Sequence, residues 1–226
     1  MPNYLMKPYL QVSRSGQTLW LSAEKCLFWE EKRMLILSDL HIGKAAHFRK
    51  SGIAVPGQLF EEDMKRIDRQ IDYFQPHSLL VTGDFFHSVV NDEHERFRHW
   101  RTSHRNLQCR MVRGNHEVLS DQSYSDLGIE VLGSSFTDGP FCFVHEKPEE
   151  LPPDIFSFSG HVHPGIRLTG TGKQAIALPC FYFAANYCIL PAFSRFTGKY
   201  LVQPEKGHEV YAIVQENGVS SLVMVN

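Results

Sequence analysis

Met34-Leu35-Ile36-Leu37 and Leu79-Leu80-Val81 are apolar on consecutive rather than alternate positions. That pattern marks strands buried on both faces. Between them Phe60, Met64, Ile67, Ile71 and Phe74 recur at spacings of four and three, which predicts a helix from about Gln58 to Phe74 with one apolar stripe. A second helix is predicted over about 92–107, with Asn91 as its N-cap and acidic residues in its first turn. Cys109–Val112 is the next strand. Strand, helix, strand, helix, strand implies parallel pairing through crossovers. Upstream, Leu19–Leu21 and Cys26–Trp29 read as short strands, followed by a charged turn over Glu30–Arg33. The stretch 43–57, rich in Gly, Lys and Arg, reads as a loop. Beyond Ile129 the pattern becomes strands with short turns: Ile129–Leu132, Phe141–His145, Phe156–Gly160, Gln174–Leu178, Tyr187–Leu190, Lys199–Val202 and Val210–Val214. The simplest solution is an α/β sandwich, two facing sheets with helices packed outside. With no repeat, low-complexity tract or linker, residues 1–226 are expected to form one domain.

Composition narrows the class. Hydrophobic content of 42% and charged content of 21% predict a globular chain. The net charge is -2, so any nucleic-acid binding must come from a local basic patch. The five cysteines are scattered without a CxxC pair, which reads as reduced core residues. The N-terminal stretch lacks the apolar core of a signal peptide, and no segment reaches the roughly 18 apolar residues of a membrane span. A soluble, cytoplasmic protein is expected.

The chemistry-bearing residues gather where strands end. Asp39 and His41 follow the first core strand, Asp84 the second, and Asn115 and His116 the third. His145 ends a later strand, and His161 and His163 follow another. In open α/β sheets the carboxyl edge of the strands is where sites are built. Asp, His and Asn offer mixed oxygen and nitrogen ligands suited to manganese, iron or zinc. A lone Asp-x-His is common by chance, and a Gly-Asp pair is usually a turn. The joint order decides: Asp-x-His, Gly-Asp, Gly-Asn-His-Glu, His, then Gly-His-x-His.

Ser38-Asp39-Leu40-His41, Gly83-Asp84, Gly114-Asn115-His116-Glu117, His145 and Gly160-His161-Val162-His163 together resemble the full signature of the calcineurin-like metallophosphoesterases. The resemblance implies a four-layer α/β/β/α sandwich of two facing mixed sheets and a site for two divalent ions, manganese first, with zinc or iron as alternatives. By motif, Asp39, His41 and His163 would hold one ion, Asn115, His145 and His161 the other, and Asp84 would bridge them. Two ions about 3.5–4 Å apart can activate a water and clamp phosphoryl oxygens. His116 would lie beside them as proton donor or phosphate contact. Glu117 either orients the His116 ring or is a solvated helix-start carboxylate. The chain departs from the family pattern at His87, where an acidic residue or Asn often stands three positions after the Gly-Asp aspartate.

Softer motifs, among them Ile42-Gly43-Lys44-Ala45, Phe48-Arg49, Val55-Pro56 and Phe85-Phe86-His87-Ser88, resemble the bacterial ligase-associated phosphoesterases. That resemblance implies a DNA-repair nuclease or phosphodiesterase, acting on single-stranded DNA or ends, in functional association with a DNA ligase and a helicase. Lys44, Arg49 and His87 are the candidate substrate contacts, since cations beside an aromatic residue suit a phosphodiester backbone. The basic helix residues Arg98, Arg101 and Arg105 read rather as a solvated face, and Phe97 and Trp100 as core. Two other functions stay open. A small-molecule phosphoesterase, acting on a cyclic nucleotide, a nucleotide-sugar lipid or a phosphomonoester, fits the near-neutral charge. A non-catalytic metal-stabilised binding module fits less well, because it has no need of His116 and seven ligands.

Overall fold

The computed structural model describes residues 7–88, 91–150, 152–170 and 174–225. Its first sheet takes seven strands in chain order: β1 (Tyr9–Arg14), β2 (Gln17–Ser22), β3 (Cys26–Trp29), β4 (Met34–Leu37), β5 (Ser78–Thr82), β6 (Gln108–Val112) and β7 (Ile129–Val131). β1 to β4 pair antiparallel, and β4 to β7 pair parallel. The change of direction follows the connections. Short turns join the first four strands, whereas α2 (Leu59–Phe74) and α3 (Asp92–Ser103) carry the chain back across the sheet between β4, β5 and β6.

The second sheet holds β8 (Ser135–Asp138), β9 (Phe141–Val144), β10 (Phe156–Ser159), β11 (Pro164–Thr169), β12 (Ala175–Phe183), β13 (Tyr187–Ile189), β14 (Tyr200–Leu201), β15 (Glu209–Glu216) and β16 (Val219–Val225). Their order is β14-β11-β12-β13-β10-β9-β8, with β15 pairing β12 and β16 pairing β15. β9, β10 and β13 run parallel, so β9 and β10 present their carboxyl ends on the same edge.

The consecutive apolar positions of β4 and β5 are now explained. Leu35, Leu37, Leu79 and Val81 face Phe60, Met64 and Ile67 of α2 and Phe97 and Trp100 of α3. Met34, Ile36 and Leu80 face the other way, into an aromatic layer of Phe141, Phe143, Phe158, Phe181 and Phe183 from the second sheet. Each such fully buried side chain contributes about 1.5–3 kcal/mol. The outer face of the second sheet carries a smaller cluster around Ile166, Cys180, Tyr182 and Val210. The resemblance implied a helical layer there, but among the described residues no helix follows α4 (Asp121–Asp126). All five cysteines are free and four are buried. No helix among the described residues is long and apolar enough to cross a bilayer.

Several elements differ from their sequence expectation. The loop expected over 43–57 contains a helix, α1 (Lys44–Lys50). It starts on Gly43 in the left-handed region, whose N–H donates to Glu93 Oε2 at 2.8 Å. A tie across the fold thus stands where a local cap would be. α3 has the expected Asn91 cap, in a capping box with His94, but stops at Ser103. There Arg101 donates to the His104 carbonyl and Leu107 turns into the core. The strand expected to end at Leu178 runs on to Phe183 through Pro179, where it trades β11 for β15 as partner. Strands β1, β8, β11 and β16 and helix α4 were not expected.

Candidate metal centre

Five strand ends meet at one edge. β4 leads to Ser38, Asp39 and His41; β5 leads to Gly83 and Asp84; β6 leads to Asn115, His116 and Glu117. From the second sheet, β9 leads to His145 and β10 to His161 and His163. Five of these residues, Asp39, His41, Asp84, His161 and His163, have φ between 47° and 63°. Left-handed backbone at a non-glycine residue costs about 1–3 kcal/mol and persists only where the surroundings over-determine it. Here the turns after β4, β5 and β10 double back sharply, which aims the side chains inward. Gly160 makes room for the closest approach: a Cβ there would overlap the Ser38 hydroxyl and crowd Asp39.

Asp39 is fully buried. Its Oδ2 accepts from the Ser38 hydroxyl and from the His161 N–H at 3.1 Å. Its Oδ1 has no hydrogen-bond partner and lies 3.3 Å from His163 Nε2. Burial works to raise the Asp39 carboxyl, but the His163 ring and the Ser38 hydroxyl outweigh it and hold the group below the ordinary carboxylate range. His41 is pushed down to about 3, by burial first and then by the Lys44 charge, so its ring is neutral, as a ligand requires. His41 Nδ1 is also buried without a partner, and its Nε2 lies 3.4 Å from His163 Nε2.

The second half of the cluster surrounds His145. Its Nδ1 lies 3.2 Å from the Thr82 carbonyl, which takes the ring proton and leaves Nε2 as a lone pair. That is the usual way a ligating histidine is oriented. Nε2 faces Asn115 Oδ1 at 2.9 Å, His161 Nδ1 at 3.1 Å and Asp84 Oδ1 at 3.5 Å. Asp84 Oδ1 also accepts the His116 N–H at 3.2 Å. Lone pairs crowded in this way are unfavourable until a cation lies among them. Two triads meet the distance requirement for an ion: Asp39, His41 and His163, and Asp39, Asp84 and His145. Orphaned buried donor atoms, a neutral His41 and an oriented His145 all fit divalent metal.

The remaining predicted residues separate. His116 is exposed at the mouth, its ring centroid 6.1 Å from that of His87. His87 stands 5.3 Å from His41 and has a buried Nδ1 without a partner. Burial, then Lys44 and His116, push His87 down, so it too is neutral. Lys44 opens α1 with its N–H on the His41 carbonyl at 3.1 Å, and burial lowers its ammonium against the pull of Asp84 and Asp39. Arg49 does not reach the cluster as a free cation. It pairs with the buried Glu93 at 3.1 Å and donates to the Pro56 carbonyl. Glu117 fits neither reading of it: it accepts the Phe85 N–H at 2.7 Å and the Tyr124 hydroxyl, binding the β5 turn to the β6 turn. Reasoning from sequence missed the prop Glu93 altogether, and it missed the roles of Ser38 and Glu117, which it had met only as members of motifs. Ser38 carried a signal in its adjacency to Asp39, and Glu93 carried none. A groove of about 1030 Å³ lies at the opposite end of the strands near Arg33, His77 and Gln108 and contains none of the cluster.

The family model of the calcineurin-like phosphoesterases matches residues 32–162, more than half of the chain and the span that supplies every residue of the cluster but His163. The chain belongs to the calcineurin-like phosphoesterase family. Among solved structures, that of Pseudomonas putida nuclease MPE is similar at 29% identity and a TM-score of 0.77, covering 95% of this chain and 100% of the nuclease. Yfce, a phosphoesterase from E. coli, matches at 12% identity and a TM-score of 0.45, covering 85% of this chain and 97% of that one. No curated protein sequence matches the chain. This calcineurin-like phosphoesterase is a metal-dependent hydrolase of phosphoester bonds.

Proposed function

We propose that the cluster holds two divalent ions, manganese by preference, and hydrolyses phosphodiesters of DNA. The observation that carries the two-ion reading is the span of Asp84. Its Oδ1 lies 3.5 Å from His145 Nε2 and its Oδ2 3.9 Å from His41 Nδ1, so one carboxylate reaches both halves of the cluster. Asp39, His41 and His163 would hold one ion, and Asn115, His145 and His161 the other. Ions so placed polarise phosphoryl oxygens and supply a nucleophile from water at neutral pH.

The chain's own groups do the rest. Lys44 and the neutral His87 line the approach to the cluster and can hold the non-bridging oxygens of the phosphate. His116, tied through its N–H to Asp84 but exposed at its ring, can give a proton to the leaving oxygen. The likeness to a nuclease over nearly the whole chain supports a nucleic-acid substrate. The ligase-associated motifs support a role in DNA repair beside a ligase and a helicase.

The test is elemental analysis of the purified chain, then hydrolysis of single-stranded DNA, a nitrophenyl phosphodiester and a phosphomonoester with manganese, zinc or iron. Two ions per chain and DNA cleavage are expected. One ion per chain would overturn the two-ion reading, and hydrolysis of the monoester alone would overturn the DNA reading.

A further inference from the structure

We propose that Lys25, Arg195 and Lys199 form an anion subsite beside His163 that holds a phosphate of the substrate strand other than the scissile one. This rests on the phosphodiester reading above and narrows it to polynucleotides.

The three cations come from distant parts of the chain. Lys25 sits in the turn between β2 and β3, in left-handed backbone with φ 68°. Arg195 and Lys199 lie on the segment between β13 and β14. That segment is fastened at both ends to the metal centre. The Phe193 and Ser194 N–H groups donate to the Ser38 and Asp39 carbonyls at 2.8 and 3.2 Å, and the Tyr200 N–H donates to the His163 carbonyl at 3.0 Å. The side chains are placed as well. The Lys25 ammonium donates to the Ser194 carbonyl at 3.3 Å. The Lys199 stem crosses Gly165, where an added Cβ would stand 3.1 Å from Lys199 Cβ. The cations are therefore held in register with the ligands.

Together with His163 they line a cleft of about 40 Å³. It shares Lys25, Pro179 and Arg195 with a neighbouring groove of about 370 Å³ that is walled by Ile176 and Leu178. A strand leaving the metal centre would pass cations and then an apolar wall.

Charge balance at the cleft is positive. Arg66 is occupied by Glu24 and Asp63. Arg195 pairs with Glu62 at 2.9 Å, but both side chains are at least 40% exposed, and such a contact is weak in water and open to exchange. Lys25 and Lys199 make no ion pair among the described residues. Burial pushes Lys25 down to about 7, with Arg66, Lys199 and Arg195 pushing the same way and Asp63 opposing. An anion between these groups relieves the excess. A cyclic nucleotide or a simple phosphomonoester has no second phosphate to place there.

The test uses the full chain with manganese. The variants are the triple Lys25→Gln, Arg195→Gln, Lys199→Gln and, as a change at an exposed position that leaves the fold intact, Lys199→Glu. The substrates are bis(p-nitrophenyl) phosphate, with one phosphate, and a single-stranded oligonucleotide. We expect KM for the oligonucleotide to rise about tenfold or more, from lost charge-assisted contacts. The slope of its log(kcat/KM) against log salt should shrink by about 0.7 per lost phosphate contact. Kinetics on the nitrophenyl diester should not change. Unchanged oligonucleotide kinetics in a wild type that cuts DNA would overturn the subsite alone. A wild type that leaves the oligonucleotide uncut would overturn the DNA reading. The subsite is then decided by fluorescence anisotropy of the labelled oligonucleotide: affinity lost in the variants upholds it, and equal affinity, or no binding to the wild type, overturns it.

Discussion

Asp84 Oδ1 lies 3.5 Å from His145 Nε2 although the two residues end strands in opposite sheets. The metal centre is thus the place where the sheets are joined by chemistry as well as by packing. Ligands that bind only the folded chain stabilise it, by about 2.7 kcal/mol at a hundred times Kd. Manganese should therefore raise the melting temperature of the wild type. Asp84→Asn keeps the shape and removes the charge, and most of that rise should vanish. Calorimetric melting with manganese and with a chelator checks it; an undiminished rise would remove Asp84 from the ligand set.

His116→Asn should leave metal content and melting unchanged, because the residue is exposed at the mouth while its backbone N–H stays on Asp84. General acid catalysis contributes about 10²–10⁴-fold. A loss of that size in kcat is expected on DNA, whose sugar oxygen leaves poorly, and a small loss on a nitrophenyl ester, whose phenolate leaves unprotonated. Equal losses on both would assign His116 to phosphate positioning.

Lys44 and Arg49, paired by the sequence, should come apart in experiment. Lys44→Ala should raise KM for DNA and weaken its salt dependence without affecting stability. Arg49→Ala removes a charged hydrogen bond from Glu93, whose side chain is only 3% exposed, and should lower stability by about 1.5–3 kcal/mol. Urea unfolding beside steady-state kinetics separates the two.

Gly160→Ala should damage both stability and metal binding. The added methyl has no free space against Ser38, and overpacking costs about 1–3 kcal/mol. Relief by movement of the turn carries His161 and His163 away from Asp39. Manganese titration followed by calorimetry is the measurement; native affinity in this variant would show that the turn has slack.

Lys25 gives stability a dependence on pH. In the unfolded chain it keeps its proton to about 10.5, whereas burial in the folded protein brings it to about 7. Between these values the unfolded state holds more protons, so stability rises with pH from about 7 upward, and below 7 the penalty is constant. Unfolding free energies at pH 6.5 and 8.5 should differ in the wild type by more than in Lys25→Met. The same difference in both would mean that Lys25 titrates near its ordinary value.

The sequence was most legible where a pattern had a local cause. β3 and β5 stand where their apolar runs placed them, and α2 begins one residue from expectation. The cluster was legible because its residues follow strand ends in a fixed order. What was hidden depends on distant partners. α1 is set by Glu93, 50 positions on from Gly43. Arg49 looked like a free cation until Glu93 was seen beside it. Glu117 could not be understood without the Phe85 N–H and the Tyr124 hydroxyl, both brought to it by other turns.

The aromatic layer between the sheets acts as a gauge block. Trp29 of the first sheet meets Phe141 of the second edge-on at 4.7 Å between ring centroids, and Phe143 at 6.3 Å. Asp39 and Asp84 ride on one sheet, His145, His161 and His163 on the other, so the thickness of this layer fixes the separation of the two ligand sets. Divalent ions differ in bond length by only a few tenths of an ångström. On the proposed metal reading, the girth of these rings bears on which ion fits, and trimming Phe158 to leucine is expected to shift the preference without altering one ligand.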